Sequence, residues 1–378
     1  MRTAVIVDVV RTGSAKGKPG GALSGIHPAT LLAEVLQSLI ERNGLNPAYV
    51  DDVIAGCVTQ SGEQALNLAR TAVLAAGFPV TVPATTIDRQ CGSSQQAVHF
   101  AAQAVMAGVQ DVVIACGVES MSRVPMFSNA QGADTSVGPL QHRFPEPLGT
   151  QGIAAELVAS QWKLDREELD EFSAESHARA TAAAETGGFD NEIVTVADHS
   201  HDETVRPGTT AEKLASLAPA FVDDGLITPG NSSPLSDGAS AALIMSEERA
   251  ASLGLRPRAR FHSFSVVGSD PRTMLTGVIP ATEKALVSGR LGIDDIDAFE
   301  VNEAFAPVPL AWRRWFAADP KRLNPRGGAI ALGHPLGASG TRLLATLLNH
   351  LEQTGGRYGL QTMCEGGGMA NATVIERL

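Results

Sequence analysis

Two cysteines that lie far apart in this chain each stand beside glycines and small hydroxyl residues. Cys91 lies within the segment 88–94, and Cys364 is the first residue of the segment 364–368, which contains three consecutive glycines. A histidine, His334, lies in a glycine-rich bend that precedes a helical pattern. Together these side chains supply a nucleophile, a base and a further acid/base, so the sequence predicts an enzyme that makes or breaks carbon–carbon bonds.

Cys91 stands at a position that activates a nucleophile. A strand-like segment, 84–87, precedes it, and a helical pattern begins at Ser94. Unpaired N–H groups at the start of a helix stabilise a thiolate, so we expect the pKa of Cys91 to lie below the value of about 8.5 for a free cysteine. Cys57 and Cys116 lie in apolar, strand-like runs and are expected to be buried and inert.

The bend around His334 is rich in glycine, at Gly333, Gly337 and Gly340. Glycine lets two backbones approach closely, and a base must come within about 3 Å of the thiol that it deprotonates. The alternative is a histidine beside a proline that only caps backbone groups. The spacing of the glycines does not fit a phosphate-binding loop, because the Lys-Ser/Thr ending is missing.

Two further segments offer polar groups to the same chemistry. The backbone N–H of Gly366, two residues after Cys364, has no side chains in its way, and such N–H groups form oxyanion holes. Asn302 follows the strand-like run 298–301 and adds a side-chain amide. An asparagine in this position can instead cap a helix.

Composition and charge exclude several classes of protein. The 378 residues carry a formal net charge of −12, which argues against a nucleic-acid partner because phosphate binding depends on Lys and Arg. The four cysteines contain no Cys-x-x-Cys pair, so we expect no bound metal, and reduced thiols in a cytoplasmic protein. The longest uncharged stretch, 90–110, holds several glutamines and is typical of a buried helix, so we expect no contact with a membrane.

Short β-branched runs alternate with amphipathic helical patterns, which is typical of an α/β fold with largely parallel strand pairing. The strand patterns cover residues 5–9 and 112–116. The helical patterns cover residues 30–42, 65–76 and 94–107.

The order of reactive residue, helix, strand and glycine occurs twice, from Cys91 to Cys116 and from His334 to Cys364. This echo predicts two similar βαβ-rich halves. The segment 125–147 contains prolines and glycines without a clear period, which indicates an insertion. We therefore predict an N-terminal half formed by residues 1–118 and 241–258, an inserted loop domain at 119–240, and a C-terminal half at 259–378.

The chain resembles the thiolases, a family of acyl-CoA acyltransferases, nearly from end to end. Five motifs carry the resemblance in order, at residues 88–94, 230–239, 302–305, 327–340 and 364–368. The resemblance implies the thiolase fold, in which the two halves form a layered α-β-α-β-α core with an inserted loop domain. It also implies thiolytic cleavage of a 3-ketoacyl-CoA by CoA, or the reverse Claisen condensation, through an acyl-cysteine intermediate.

The same resemblance implies a role for each residue of the site. Cys91 would carry the acyl group, His334 would accept its proton, and Cys364 would move the proton at the α-carbon of the acetyl unit. Asn302 would hold a water that, with His334, faces one thioester oxygen. The backbone N–H groups of Cys91 and Gly366 would face the other.

Coenzyme A is implied as a co-substrate, and no prosthetic group is expected. The residues implied to contact coenzyme A are Ser233, Arg206, Ala220 and Phe221. Because thiolases are dimers or tetramers, the resemblance also implies a homodimer or homotetramer, with tetramer contacts in the segment 125–147.

Four residues depart from the usual thiolase pattern and put the common short-chain acetoacetyl specificity in question. They are Asp88 in place of Asn, Ser94 in place of Gly, Gln151 in place of Met and Leu157 in place of Asn. A biosynthetic acetoacetyl-CoA thiolase remains an alternative, and so do substrates with fatty chains or bulkier alicyclic groups. Asn302 and Cys364 together disfavour a ketoacyl synthase and a sterol-carrier-type thiolase, which are expected to have histidine in place of Asn302. The alternative from a different class is a non-catalytic acyl-CoA-binding or thiol-sensing protein.

Overall fold

The computed structural model describes residues 2–135, 137–145 and 148–378 of the chain. Its strands are β1 (Ala4–Arg11), β2 (Ala15–Lys16), β3 (Asp52–Gly56), β4 (Ala84–Ile87), β5 (Val112–Ser120), β6 (Ser236–Ser246), β7 (Ala259–Gly268), β8 (Ala298–Val301), β9 (Tyr358–Glu365) and β10 (Met369–Arg377). Its α-helices are α1 (Pro28–Arg42), α2 (Leu68–Ala75), α3 (Ser93–Ala107), α4 (Gly138–Arg143), α5 (Gln151–Gln161), α6 (Arg166–Glu185), α7 (Ala211–Ala215), α8 (Glu247–Ser252), α9 (Val278–Gly289), α10 (Pro307–Phe316), α11 (Ala329–Leu332) and α12 (Ser339–Thr354).

The helices and strands predicted for the first third of the chain are confirmed, with small shifts at their ends. α1 begins at Pro28, because a proline fits the first turn of a helix and the His27 ring accepts the N–H of Ala29. α3 ends where Gly108 adopts a left-handed conformation with a φ of 74°. β5 runs beyond the predicted strand to Ser120.

The strands follow the order β4-β3-β5-β6-β1-β7-β10-β9-β8, and β2 pairs with β6. The contact of β1 with β7 consists of two residue pairs, Val5 with Arg260 and Ile6 with Ala259. The pairing of β1 with β6 and that of β7 with β10 extend over nearly the full length of these strands. The strands therefore form two half-sheets that meet at a narrow seam between β1 and β7.

The two half-sheets have the same topology. In the first, the parallel pairs β4–β3 and β3–β5 are followed by antiparallel pairs through β6 to β1. In the second, the parallel pair β8–β9 is followed by antiparallel pairs through β10 to β7. A single parallel bridge from Phe299 to Leu323 stands where β4 stands in the first half. The predicted pair of similar halves is therefore confirmed. The prediction of largely parallel pairing is wrong, because in each half only the outer strands pair in parallel. The strands towards the seam are antiparallel to their neighbours.

α3 and α12 form the middle layer of the molecule. One apolar cluster joins Ala97 and Val98 of α3 and Leu344 and Leu348 of α12 with residues from both half-sheets. A second cluster packs α1 and α2 on the outer face of the first half-sheet, and a third packs α9 and α10 on the outer face of the second. The layers follow the predicted order α-β-α-β-α.

Helices α4 to α7 lie in the long connection between β5 and β6. Ala155 and Val158 of α5 and Phe172 of α6 belong to the same apolar cluster as Phe299 and Trp312 of the second half. The connection thus leaves the first half-sheet and packs on the second half. Residues 136, 146 and 147 lie outside the described residues, and with them part of the segment 125–147. The division into an N-terminal half, a loop domain and a C-terminal half stays a prediction.

The uncharged stretch 90–110 contains α3, as predicted, and Gln95, Gln96 and His99 are buried in the middle layer, whereas Gln103 is exposed. The hydroxyl of Thr373 lies 2.8 Å from Gln95 Nε2 and 2.8 Å from His99 Nε2, so two of these side chains share one partner from β10. Across residues 2–135, 137–145 and 148–378, no helix combines the length and the apolar character needed to cross a membrane.

Glycines hold the first turn of α12 directly against the first turn of α3. A methyl group on Gly340 would overlap the backbone nitrogen of Gln95, and one on Gly337 would lie 2.6 Å from carbonyl oxygens of β3 and β5. No side chain fits at either position, so both residues have to be glycine. Because α12 follows His334 and α3 follows Cys91, this contact sets the relative position of the imidazole and the thiol.

Replacing Gly340 with alanine is expected to lower the free energy of unfolding by about 1–3 kcal/mol or more, because the added methyl group forces two backbones apart. Thermal unfolding of the purified protein measures the change. Gly25→Ala is the matched control, since a methyl group there has no neighbour within 4 Å. Equal unfolding temperatures for the two variants would contradict the proposed constraint.

Candidate active site

Cys91 lies in a tight turn between β4 and α3. Gln90 has a left-handed backbone with a φ of 49°, which is uncommon for a residue other than glycine. Asp88 Oδ1 accepts the N–H of Gln90 at 2.6 Å. The hydroxyl of Ser93 donates to the carbonyl of Gln90 at 2.6 Å and accepts the N–H of Arg89 at 2.9 Å. The turn therefore holds Cys91 immediately before α3, as predicted.

Two of the unusual residues lie near Cys91. One helps to build this turn, and the other links two helices. Asp88 supplies one oxygen to the N–H of Gln90, which an asparagine could also do, so the departure from the common pattern preserves the turn. Ser94 Oγ accepts the N–H of Thr341 at 3.1 Å and links the first turn of α3 to that of α12.

The thiol of Cys91 is buried, with 3% of the residue exposed. Its apolar neighbours come from both halves of the chain and are Val58, Met121, Leu336, Leu343 and Met363. Burial raises the pKa of Cys91 to about 11. A hydrogen bond from Gln151 Nε2, which lies 3.7 Å from the sulfur, lowers this pKa by less than burial raises it. The expectation of a lowered pKa is therefore wrong for the chain without substrate, because burial outweighs the helix start.

His334 is held at its backbone and at both ring nitrogens. Its N–H donates to Ser236 Oγ at 3.1 Å, and its Nε2 lies 3.4 Å from Asn302 Nδ2. Its Nδ1 lies 2.5 Å from Ser339 Oγ, whose hydroxyl donates to the carbonyl of Pro335 at 2.8 Å. Since Ser339 has a single hydrogen, it accepts the hydrogen of Nδ1, and the lone pair that makes His334 a base is on Nε2.

The His334 ring is neutral in this environment. Burial lowers the pKa of His334 to about 3, and the positive charge of Arg342 acts in the same direction. Because Cys91 also holds its proton tightly, transfer from the thiol to the imidazole is unfavourable before substrate binds. The transfer becomes favourable when attack on a carbonyl moves the negative charge from sulfur to an oxygen that faces N–H donors.

Cys364 lies at the end of β9, beside the turn to β10. Burial raises the pKa of Cys364 well above its usual value, and the negative charges of Cys91 and Glu365 add to the rise. The two thiols are therefore close enough for the charge on one to oppose ionisation of the other. Like Cys91, Cys364 is a thiol at neutral pH and can give a proton to a carbanion.

Gly366 lies beside the Cys91 turn. A methyl group on Gly366 would stand 3.1 Å from Gln90 Oε1 and 3.4 Å from Gln151 Nε2. The structure thus brings Gly366 to the side chain of Gln90, which precedes Cys91, and to that of Gln151, which contacts its thiol. Each of these two glycine-flanked turns has a backbone N–H that can donate a hydrogen bond to the oxygen of a carbonyl group that reacts between them.

Glu365 points away from Cys364 and lies under the first turn of α3, because successive side chains of a strand face opposite sides. Both carboxyl oxygens of Glu365 are buried without a hydrogen-bond partner among the described residues. Burial raises the pKa of Glu365 to about 8. A methyl group on Gly92 would overlap this carboxyl group, so a side chain after Cys91 would require the Glu365 side chain to move.

Asn302 and Glu303 follow β8 and act on different parts of the site. Asn302 donates its N–H to the carbonyl of Thr362 at 3.0 Å, and its buried Oδ1 has no partner among the residues that the structure describes. This amide oxygen can therefore hold a water beside His334. Glu303 accepts hydrogen bonds from Ser176, Asn324 and the N–H of Ile330. Glu303 thereby anchors the segment that leads into α11 and the histidine bend.

Glu119, at the end of β5, is a residue of the site that was not predicted. Its buried carboxylate accepts hydrogen bonds from the N–H groups of Val58, Thr59 and Gly337 and from the side chain of Gln64. Glu119 joins the loop after β3 to the bend that carries His334. The signal in the sequence was a single acidic residue after an apolar run, and its partners are up to 218 positions away.

Two of the residues predicted to bind coenzyme A lie against the segment that follows β8. The N–H of Ser233 donates to the carbonyl of Ala304 at 3.0 Å. The ring of Phe221 meets Phe305 edge-on, with the ring centroids 5.8 Å apart. Phe221 also occupies the space that a side chain at Gly152 would need. The structure therefore places Phe221 next to the first turn of α5, which contains Gln151.

The other two residues predicted to bind coenzyme A lie on neighbouring loops. Ala220 donates its N–H to the carbonyl of Ile227 at 2.8 Å, which closes the loop that carries the aromatic ring. Arg206 is exposed, and its backbone N–H donates to His177 Nδ1 at 3.2 Å. Arg206 and Ser232 line one small cavity of about 20 Å³. Two larger clefts, of about 580 and 620 Å³, are lined by other residues.

The arrangement combines two thiols, a neutral imidazole, a side-chain amide and backbone N–H groups on two turns. These groups are sufficient for acyl transfer through a cysteine thioester. In the described part of the chain, no group of His, Cys, Asp and Glu side chains is arranged to hold a metal ion.

Comparisons with known proteins agree with this fold. The model of the N-terminal thiolase domain matches residues 4–248, and that of the C-terminal thiolase domain matches residues 255–377. With two half-sheets, a shared middle layer and a two-cysteine site, the chain belongs to the thiolase family.

Two curated relatives are similar over the whole chain. A steroid 3-ketoacyl-CoA thiolase of Mycobacterium tuberculosis is 52% identical over an alignment of 390 positions, which covers 100% of this chain and 95% of that protein. A 3-ketoacyl-CoA thiolase of Escherichia coli is 45% identical over an alignment of 392 positions, which covers 100% of both chains. The crystal structure of a Bacillus anthracis acetyl-CoA acetyltransferase superposes with a TM-score of 0.91 at 39% identity and covers 100% of this chain and 99% of that one.

The pKa of about 11 for Cys91 predicts how the thiol reacts with iodoacetamide in the absence of CoA. The thiolate is the reacting form, so the alkylation rate should rise about tenfold for each pH unit from neutral pH to about pH 10. Mass spectrometry of the peptide that contains Cys91 separates its modification from that of other thiols. A rate that levels off near the ordinary pKa of about 8.5 would contradict the proposed effect of burial.

Proposed function

We propose that the chain is a 3-ketoacyl-CoA thiolase, an acetyl-CoA C-acyltransferase that cleaves a 3-ketoacyl-CoA with CoA to acetyl-CoA and a shortened acyl-CoA. The observation that carries this proposal is the meeting of Cys91, Cys364 and the His334–Asn302 pair between the two halves. The names of the curated relatives, at 45% and 52% identity, support the same reaction.

In the first half of the reaction, the sulfur of Cys91 attacks the 3-keto carbon while His334 Nε2 accepts the thiol proton. The bond between the second and third carbons breaks and leaves an acyl thioester on Cys91. The departing acetyl-CoA carbanion takes a proton from Cys364, so acetyl-CoA leaves as a neutral molecule. A thioester oxygen faces the N–H groups of Cys91 and Gly366 during these steps.

In the second half, the thiol of CoA attacks the acyl group on Cys91. The CoA proton passes to the Cys364 thiolate, and the Cys91 sulfur leaves with the proton of the His334 imidazolium as the shortened acyl-CoA forms. The other thioester oxygen faces His334 and a water held by Asn302, whose Oδ1 has no partner among the described residues. The groups return to their starting protonation states, so neither a metal nor a redox cofactor is needed.

Coenzyme A serves as co-substrate in this proposal. Ser233 and Arg206 contact its polar parts, and Ala220 and Phe221 flank its pantetheine arm. The position of Phe221 against Phe305 supports this assignment, because it puts an exposed aromatic ring beside the segment of Asn302.

Biosynthetic condensation to acetoacetyl-CoA is the second candidate function, since the same groups serve both directions. The similar Bacillus anthracis structure carries the name of an acetyl-CoA acetyltransferase at 39% identity. We infer degradation because the relatives with higher identity carry the name 3-ketoacyl-CoA thiolase. The name of the Mycobacterium tuberculosis relative favours a bulky, ring-bearing acyl group over a short chain. A non-catalytic acyl-CoA-binding protein would have no use for a neutral imidazole beside two thiols.

We also infer a homodimer or homotetramer in the cytoplasm. β4 is the end strand of the sheet order, and its exposed edge favours pairing with a second copy. Leu66 is 97% exposed in the preceding loop, which also favours a partner. Four free, buried cysteines support a reducing compartment.

The division into residues 1–118 with 241–258, 119–240 and 259–378 is part of the same proposal.

Cys91→Ser is expected to lower thiolysis of a 3-ketoacyl-CoA by roughly a thousandfold or more, because an alcohol replaces the nucleophilic thiol. Mass spectrometry of the unmodified enzyme after brief exposure to substrate should detect an acyl adduct on Cys91. Cys116→Ala, which removes a buried thiol within β5, is the control and should retain activity. Full activity in Cys91→Ser would refute the mechanism.

Cys364→Ala should stop the exchange of α-protons of acetyl-CoA with deuterium from the solvent, as followed by NMR. Transfer of an acetyl group to Cys91 should remain detectable in this variant, because that step does not use Cys364. Unchanged exchange would rule out Cys364 as the acid/base.

Light scattering should give a mass of twice or four times that of one chain. Leu66→Glu is expected to shift the equilibrium towards the single chain by placing charge in the contact. A mass of one chain for the unmodified protein would contradict the oligomer.

A further inference from the structure

Two side-chain amides lie beside Gly366, one of them also contacts the thiol of Cys91, and the reaction proposed above uses neither. Gln90 Oε1 would lie 3.1 Å from a methyl group on Gly366, and Gln151 Nε2 would lie 3.4 Å from it. Gln151 Nε2 is also 3.7 Å from the sulfur of Cys91. One acceptor and one donor thus lie beside Gly366, and the donor also lies next to the reacting sulfur.

Asp88 fixes the orientation of the Gln90 amide. The Asp88 carboxylate lies 3.3 and 3.4 Å from Gln90 Nε2, and it also accepts the backbone N–H of Gln90 at 2.6 Å. The nitrogen of the amide is therefore occupied by Asp88, and its oxygen faces Gly366. The unusual aspartate at position 88 makes the acceptor end of the amide available to a substrate.

Gln151 is positioned by the start of α5. It is the first residue of this helix, and Phe221 packs on the neighbouring Gly152 so closely that no side chain fits there. The Gln151 side chain is half-buried and has one N–H directed at the sulfur of Cys91. An –NH₂ group has two hydrogens, so a second donor is available to the acyl group.

An acyl group on Cys91 begins at the sulfur, so its first carbons lie within reach of Gln151 Nε2. A plain hydrocarbon there takes water away from both amides without replacing its hydrogen bonds, and such a loss costs about 1–3 kcal/mol for a buried group. An oxygen substituent restores the pairing. A site built around hydrogen bonds discriminates in this way against analogues that lack the polar group.

We propose that Gln151, with Gln90 beside it, is a specificity-determining residue that selects 3-ketoacyl-CoA esters whose acyl part carries a neutral oxygen function near the 3-keto group. A hydroxyl can pair with both the amide donor of Gln151 and the amide acceptor of Gln90, and a ketone can pair with the donor, whereas a carboxylate would approach the charge of Asp88. The remaining wall near Cys91 is apolar, from Val58, Met121 and Leu336, so the acyl group combines apolar bulk with one polar substituent. The inference rests on the proposed thiolase function.

The test compares thiolysis of 3-oxohexanoyl-CoA, its 5-hydroxy derivative and the analogue that ends in a carboxylate. The unmodified enzyme should have the highest kcat/KM for the hydroxy compound. Gln151→Met keeps the length of the side chain and removes the amide, so it should lower the preference for the hydroxy over the plain compound by about 3- to 10-fold. Gln37→Met on α1 makes the same chemical change far from Cys91 and should leave the preference unchanged.

A second measurement follows the contact with Cys91 itself and does not depend on thiolysis. Gln151→Met should slow the alkylation of Cys91 by iodoacetamide at constant pH, because the N–H donor that stabilises the thiolate is gone. A preference that Gln151→Met leaves unchanged, or a preference for the carboxylate, would overturn the inference while the thiolase function stands. Absence of cleavage of all three compounds by the unmodified enzyme would overturn both, even if the alkylation rate responds to Gln151.

Discussion

The burial of α3 and α12 between the two half-sheets is the constraint on which the site depends. α3 begins two residues after Cys91 and α12 five residues after His334, and the two first turns meet through Gly340 with no side chain between the backbones. The hydroxyl of Ser94 adds a hydrogen bond across the same contact. Because the half-sheets share only two residue pairs at their seam, the helices of the middle layer and their glycines determine how the halves fit together.

Burial also determines the charge state of the site. The pKa of Cys91 is raised to about 11 and that of His334 is lowered to about 3, so both groups are neutral at physiological pH. A neutral base and a neutral thiol do not form an ion pair in advance. The charge of the reaction instead develops on the substrate, where N–H donors are already in place, and this makes the site selective for carbonyl groups that can accept it.

Much of the fold could be predicted from the sequence, because the pattern of α3 and β5 recurs in α12 and β9. The chemical residues could be predicted as well, since Cys91, His334 and Cys364 stand in glycine-rich turns. The raised pKa of Cys91 could not, because the depth of burial depends on side chains from both halves. Glu119 escaped prediction for a related reason: its hydrogen-bond partners are distant in the chain.

Glu365 and Gly92 show how a buried contact restricts the evolution of such a site. The carboxyl group of Glu365 fills the space that a side chain after Cys91 would occupy. A larger residue at position 92 therefore requires either a displaced Glu365 side chain or a smaller residue at position 365. The two positions, one in each half of the chain, are expected to change together among descendants of this sequence, because their side chains share one space at the contact between the halves.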